Sequence, residues 1–112
     1  MEMSARTEGD ICVVTVAEPR IDAPAAVAFK ESLRGLTQDA PPTVVLDLTE
    51  VTFIDSSGLG AIVAAMKYLS PDRQLVLAGL TPAVDRVFKL TRMDSVFRIC
   101  AKLEDALDAQ RV

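Results

Sequence analysis

Histidine is missing from this sequence altogether. That absence removes the Ser-His-Asp and Cys-His nucleophile arrangements, and with them every His-based zinc site, catalytic or structural. Tryptophan is missing too, and aromatic residues make up only 4% of the chain. The core must therefore be built from Val, Leu, Ile and Ala, and few stacking platforms remain for single-stranded nucleic acid. Basic charge is in deficit: 12 Lys and Arg stand against 16 Asp and Glu, a net −4. Non-specific phosphate-backbone binding needs a clustered basic face, so no nucleic-acid partner is expected. No apolar run reaches membrane-spanning length, and the opening "MEMSARTEGD" lacks a basic-then-apolar signal pattern. The expectation is a cytoplasmic protein with no membrane insertion. Cys12 and Cys100 fit neither a metal spacing nor CxxC; lying in apolar, strand-like runs, they read as buried thiols. No metal and no cofactor is called for.

What is present is a chain of 112 residues, half hydrophobic and a quarter charged. That is one domain's worth, residues 1–112, soluble and globular, with no internal repeat, low-complexity tract or long linker. Met3–Glu8 and Ile11–Glu18 read as a hairpin broken at Gly9-Asp10. Asp22 is a candidate N-cap with Pro24 in the first turn of a helix whose Ala26, Phe29, Leu33 and Leu36 share a face. Val44–Leu48 has the β-branched, apolar run of a central strand. Ser56–Leu69 follows as a helix, with Leu59, Ile62, Val63, Met66 and Leu69 expected on its buried side. Gln74–Ala78 is a strand. Thr81 and Pro82 cap and open a helix carrying Val84, Val87, Phe88 and Met93. Ser95–Cys100 reads as a short edge strand, and Leu103–Ala109 as an Asp/Glu-rich amphipathic helix whose composition permits mobility. The order ββαβαβαβα calls for an α/β fold: a mixed, partly parallel sheet of about five strands with about four helices packed on it.

The chemistry concentrates at "FIDSSGLG", Phe53 to Gly60. Asp and Ser are preferred caps because their side-chain oxygens accept from the first free backbone N–H groups. One cap needs one oxygen, and three candidates in a row exceed that need. The stretch also leaves the carboxyl end of a strand, where open α/β sheets build their sites. A helix start, with free N–H groups and the positive dipole end, is where a phosphate is best tolerated. Competing motifs fail on spacing. A nucleophile elbow needs glycine two residues before the serine, where Ile54 and Asp55 stand. A P-loop needs Gly-Lys-Ser/Thr, but Ala61 follows Gly60; a dinucleotide fingerprint needs a third glycine, where Val63 stands.

"VVLDLTEVTFIDSSGLGAIVAA", Val44 to Ala65, resembles the signature of STAS domains, and most closely the anti-sigma factor antagonists of bacterial partner-switching systems. "RID" at Arg20–Asp22 is similar to that family's aspartate-closed strand end, with Pro19 where glycine is usual. "LAGLTPAVDRVFKLTRMDSVFRIC" is similar to its C-terminal strand, helix and strand. The resemblance implies a single STAS domain that is no enzyme but a phosphorylatable switch. It places the phosphate on Ser56, delivered from ATP by a serine kinase of the histidine-kinase-like ATPase fold that is also the anti-sigma factor. The unphosphorylated form would bind that kinase and free its target; a PP2C-type phosphatase would restore it. Asp22 and Asp55 match positions near the partner-facing surface, with Ser57 and Gly58 beside them, and the implied state is a monomer or weak dimer. Asp22 caps, binds, or does both; Asp55 caps, orients the Ser56 hydroxyl, or both; Ser57 has the plainer reading of a cap hydroxyl. Two other readings stay open: a STAS scaffold that is never phosphorylated, as in stressosome-like assemblies or lipid-transporter subunits, and a ligand- or nucleotide-binding module. An enzyme with Ser56 as nucleophile lacks a general base, since Lys67 lies roughly three turns along the helix.

Overall fold

The computed structural model describes residues 1–109. Strands β1 (Met3–Glu8), β2 (Ile11–Val16), β4 (Thr43–Asp47), β6 (Gln74–Ala78) and β7 (Arg98–Cys100) form one sheet in the order β1-β2-β4-β6-β7. Gly9, at φ +61°, turns the β1–β2 hairpin, the antiparallel pair; every other pair is parallel. Helices α1 (Ala23–Leu36), α2 (Ser56–Leu69) and α3 (Pro82–Leu90) connect the parallel strands. Each crossover moves the chain one strand the same way across the sheet, so right-handed connections put all three helices on one face.

Alternation along the strands sorts the core into two layers. Cys12, Val14, Val16, Val44, Leu46, Leu75 and Leu77 face the three helices, meeting Phe29, Leu33, Ile62 and Phe88. Ile11, Val13, Val45, Val76 and Ala78 face the other way and are covered by Ala106 and Leu107 of α4 (Leu103–Ala109). The last helix is thus packed down, its acidic residues turned outward, and not the loosely held element its composition allows.

Several expectations shift. β2 stops at Val16, two residues early, because Pro19 begins a second, smaller pairing. Its carbonyl accepts from the N–H groups of Thr52 and Phe53 at 2.9 and 3.0 Å and from the Thr52 hydroxyl. This seats β3 (Arg20–Ile21) parallel to β5 (Phe53–Ile54), a two-stranded ribbon outside the main sheet. α3 ends at Leu90, so Met93 lies in a separate 3-10 turn, Met93–Ser95, entered through Arg92 at φ +60°. That turn takes up the first part of the expected edge strand, leaving β7 three residues. The Thr81 hydroxyl does not cap α3; it donates to the Val51 carbonyl at 2.7 Å, tying the helix start to the loop before β5. The Asp47 carboxylate accepts from the Thr49 N–H at 3.1 Å at the end of β4. Cys12 is buried, whereas Cys100, at the sheet edge, is only half-buried.

Candidate functional site

The β3–β5 ribbon decides the geometry of the site. Arg20 is the Cα partner of Phe53, and Ile21 of Ile54. The next residue on each strand is an aspartate, and the next begins a helix, so α1 and α2 start side by side. Both aspartates are N-caps in extended backbone: Asp22 Oδ1 accepts from the Ala25 N–H at 3.3 Å, and Asp55 Oδ1 from the Gly58 N–H at 2.9 Å. Asp55 does more. Its Oδ2 accepts from the N–H of Ala23, the first helical residue of α1, at 3.2 Å. One carboxylate therefore serves the free N–H groups of two helices.

The closeness of these starts depends on Gly58, which is buried under the turn. A Cβ there would collide with the Ile21 carbonyl oxygen and come within 2.9 Å of Ile54 Cγ1. Ala61 and Ala65 continue the same close-packed side of α2 with Ile62 and Leu69. The larger Leu59, Val63 and Met66, expected inside, are only half-buried at its margins. Small residues share the inner face with Ile62 and Leu69 because they let the helix approach its neighbours.

With the capping done by carboxylates, the serines are left over. Ser56 and Ser57 are both exposed, and neither hydroxyl makes a hydrogen bond among the described residues. Ser57 is thus not the cap hydroxyl it resembles in sequence. Ser56 occupies the first position of α2, where the dipole end carries about half a positive charge. The structure brings Asp22, Asp55, Ser56, Ser57 and Gly58 to one end of the molecule.

Two residues join them that sequence reading passed over as site residues. The Arg20 guanidinium lies 4.0 Å from the Phe53 ring centroid, and its Nε pairs with Asp22 Oδ2 at 3.1 Å. The signal was there in the matching spacings Arg20-x-Asp22 and Phe53-x-Asp55, but reading it requires knowing that two-residue strands pair. A cleft of about 380 Å³ opens beside Asp22, between Glu18–Arg20 and the first turn of α1. Among the described residues no cluster of three Cys, Asp or Glu side chains is placed to hold a metal ion, and no helix is long and apolar enough to cross a membrane.

Comparison with known proteins agrees with this fold. The STAS domain family matches residues 2–106. An anti-sigma-B factor antagonist of Listeria monocytogenes is 34% identical over 100 residues, covering 88% of this chain and 86% of the relative. The crystal structure of an anti-sigma factor antagonist from Mycobacterium paratuberculosis superposes with a TM-score of 0.87 at 30% identity, covering 99% of this chain and 94% of that one. A putative anti-sigma factor antagonist from Thermotoga maritima gives 0.83 at 25% identity, over 98% and 95%. With the family match spanning residues 2–106 and its relatives aligned over most of their length, the protein belongs to the STAS domain family, in the company of its anti-sigma factor antagonists.

Proposed function

We propose that this chain is an anti-sigma factor antagonist that works as a phosphorylation switch, with Ser56 as the residue modified. Its unmodified form binds a serine kinase that doubles as the anti-sigma factor, so that the kinase releases its target. Phosphate on Ser56 ends that binding, and a PP2C-type phosphatase restores it. The chain is substrate and inhibitor, not catalyst.

One observation carries this reading: the cap of α2 is Asp55, and the Ser56 hydroxyl beside it is exposed and unbonded. A hydroxyl employed in capping would have to leave the fold to reach a kinase; this one does not. Before modification, two helix ends and Arg20 roughly balance Asp22 and Asp55. A phosphoryl group adds about −1.5 to −2 charges, which swings the face strongly negative. Burying that charge in a partner interface costs binding about 2–5 kcal/mol, while the exposed helix start tolerates it in the free protein. The names of the relatives support the antagonist part of this reading.

The test is incubation with ATP and the cognate kinase, read by intact mass. One phosphoryl group on the native chain and none on Ser56→Ala is the expected result. A gain that persists in Ser56→Ala moves the site to Ser57, and no gain with any kinase of that class points to a scaffold instead.

A further inference from the structure

Side chains alternate along a strand, so the ribbon has two sides. Ile21 and Ile54 enter the core; Arg20, Asp22, Phe53 and Asp55 share the outer one. The Arg20 guanidinium lies over the Phe53 ring, on the strand that leads through Asp55 to Ser56. We propose that Arg20 is the counter-charge of the phosphorylated switch: a phosphoryl group on Ser56 draws the guanidinium away from Asp22 and takes it as a paired donor, pivoting on the Phe53 ring. This deepens, and rests on, the reading of Ser56 as the residue modified.

The exchange leaves the helix caps in place. Asp22 keeps its cap through Oδ1, whereas Arg20 is held through Oδ2. The Arg20 side chain is 56% accessible against 21% for Asp22, so solvent reaches the pair from the arginine side and screens it in part. Only Nε is used, and among the described residues both terminal guanidinium nitrogens are without a partner. A phosphate dianion outbids a carboxylate for a planar, two-toothed donor. Three other arginines are engaged elsewhere: Arg6 pairs with Glu8, Arg34 lies over Tyr68, and Arg73 donates to the Gln38 and Ala40 carbonyls. Phosphorylation then acts twice, adding negative charge and withdrawing the cation of this face from any carboxylate on the partner.

The test needs no kinase. Phosphoserine is installed at position 56 of the full chain during translation, and the phosphate is titrated by phosphorus NMR around its second ionisation, near pH 6. The charged groups at this end of the molecule are Arg20 from β3 and Asp22 and Asp55 from the two caps; of these, Arg20 lowers the midpoint and the carboxylates raise it. In Arg20→Gln the midpoint should rise by at least about 0.3 pH units, and the difference should shrink in about 1 M salt. Arg20→Lys, which keeps the charge and loses the fork, should fall between. Superimposable titrations of the native and Arg20→Gln proteins, both folded by circular dichroism, overturn the assignment. A kinase that ignores Ser56 overturns the proposed function instead, so the two failures are told apart.

Discussion

Asp55 and Ala23 stand 32 positions apart, yet the Asp55 Oδ2 accepts the Ala23 N–H at 3.2 Å while Oδ1 caps α2. A single side chain thus fixes how far apart two helices begin. The spacing of the whole site, including the place where Ser56 emerges, is set by this bond and by the ribbon beneath it.

Asp55→Ala removes both bonds and should destabilise the protein by about 1–3 kcal/mol in urea unfolding. Asp55→Asn keeps an oxygen for Gly58 but turns a donor toward Ala23, so it should lose a distinct part of that amount. Equal losses for Ala and Asn would deprive the capping bond of any share of its own.

Two glycines should answer alanine with opposite signs. At Gly58 the new methyl meets the Ile21 carbonyl, and overpacking of this kind costs about 1–3 kcal/mol. At Gly35, within α1, nothing lies within 4 Å of the added carbon, and the gain in helix propensity should stabilise by about 0.5–1 kcal/mol. Thermal midpoints of the two variants, moving in opposite directions, check the close approach at the site directly.

Neither serine supports the fold. Ser56→Ala and Ser57→Ala should each change stability by less than about 0.5 kcal/mol. Phosphoserine at position 56 should leave the unfolding midpoint nearly in place, shifted upward by at most about 1 kcal/mol through the helix dipole. A modified protein that melted early and still bound its kinase would contradict the switch.

The thiols should separate by both reactivity and pH. Burial pushes the Cys12 thiol up from its ordinary range, with the Arg73 cation opposing more weakly. Folding therefore favours neutral Cys12. The stability this contributes is fully present below the thiol's unfolded pKa and is lost as pH rises through the raised folded value. Alkaline unfolding should show a loss that Cys12→Ala lacks. A thiol reagent near neutral pH should label half-buried Cys100 first and reach Cys12 only on unfolding.

Much of the fold was readable because its signals are local. The bounds of β1, β6, α2 and α4, and the caps at Asp22 and Asp55, follow from turn residues, periodicity and capping chemistry. What escaped was set by tertiary contact. Two-residue strands such as Arg20–Ile21 and Phe53–Ile54 have no periodicity to detect. Beside the expected Ile62 and Leu69, the inner face of α2 took Gly58, Ala61 and Ala65, whereas hydrophobicity ranks Leu59, Val63 and Met66 above these three. Thr81 looked like a cap because its neighbour is Pro82, but its hydroxyl was claimed by Val51 across the chain. The site itself was legible as residues and not as roles: Ser57 resembles a cap until Asp55 is seen to take the bond, and Arg20 enters only through its pairing with Phe53.

The division of labour between Asp55 and Ser56 also bears on how such a protein can change over generations. Because the aspartate alone holds the helix start, position 56 is free to drift. Under the switch proposed for Ser56, a lineage could fix alanine there and acquire a regulator that is always on, or fix an acidic residue and silence it, without first repairing the fold. Descendants that keep the scaffold and abandon the switch lie a single codon change away.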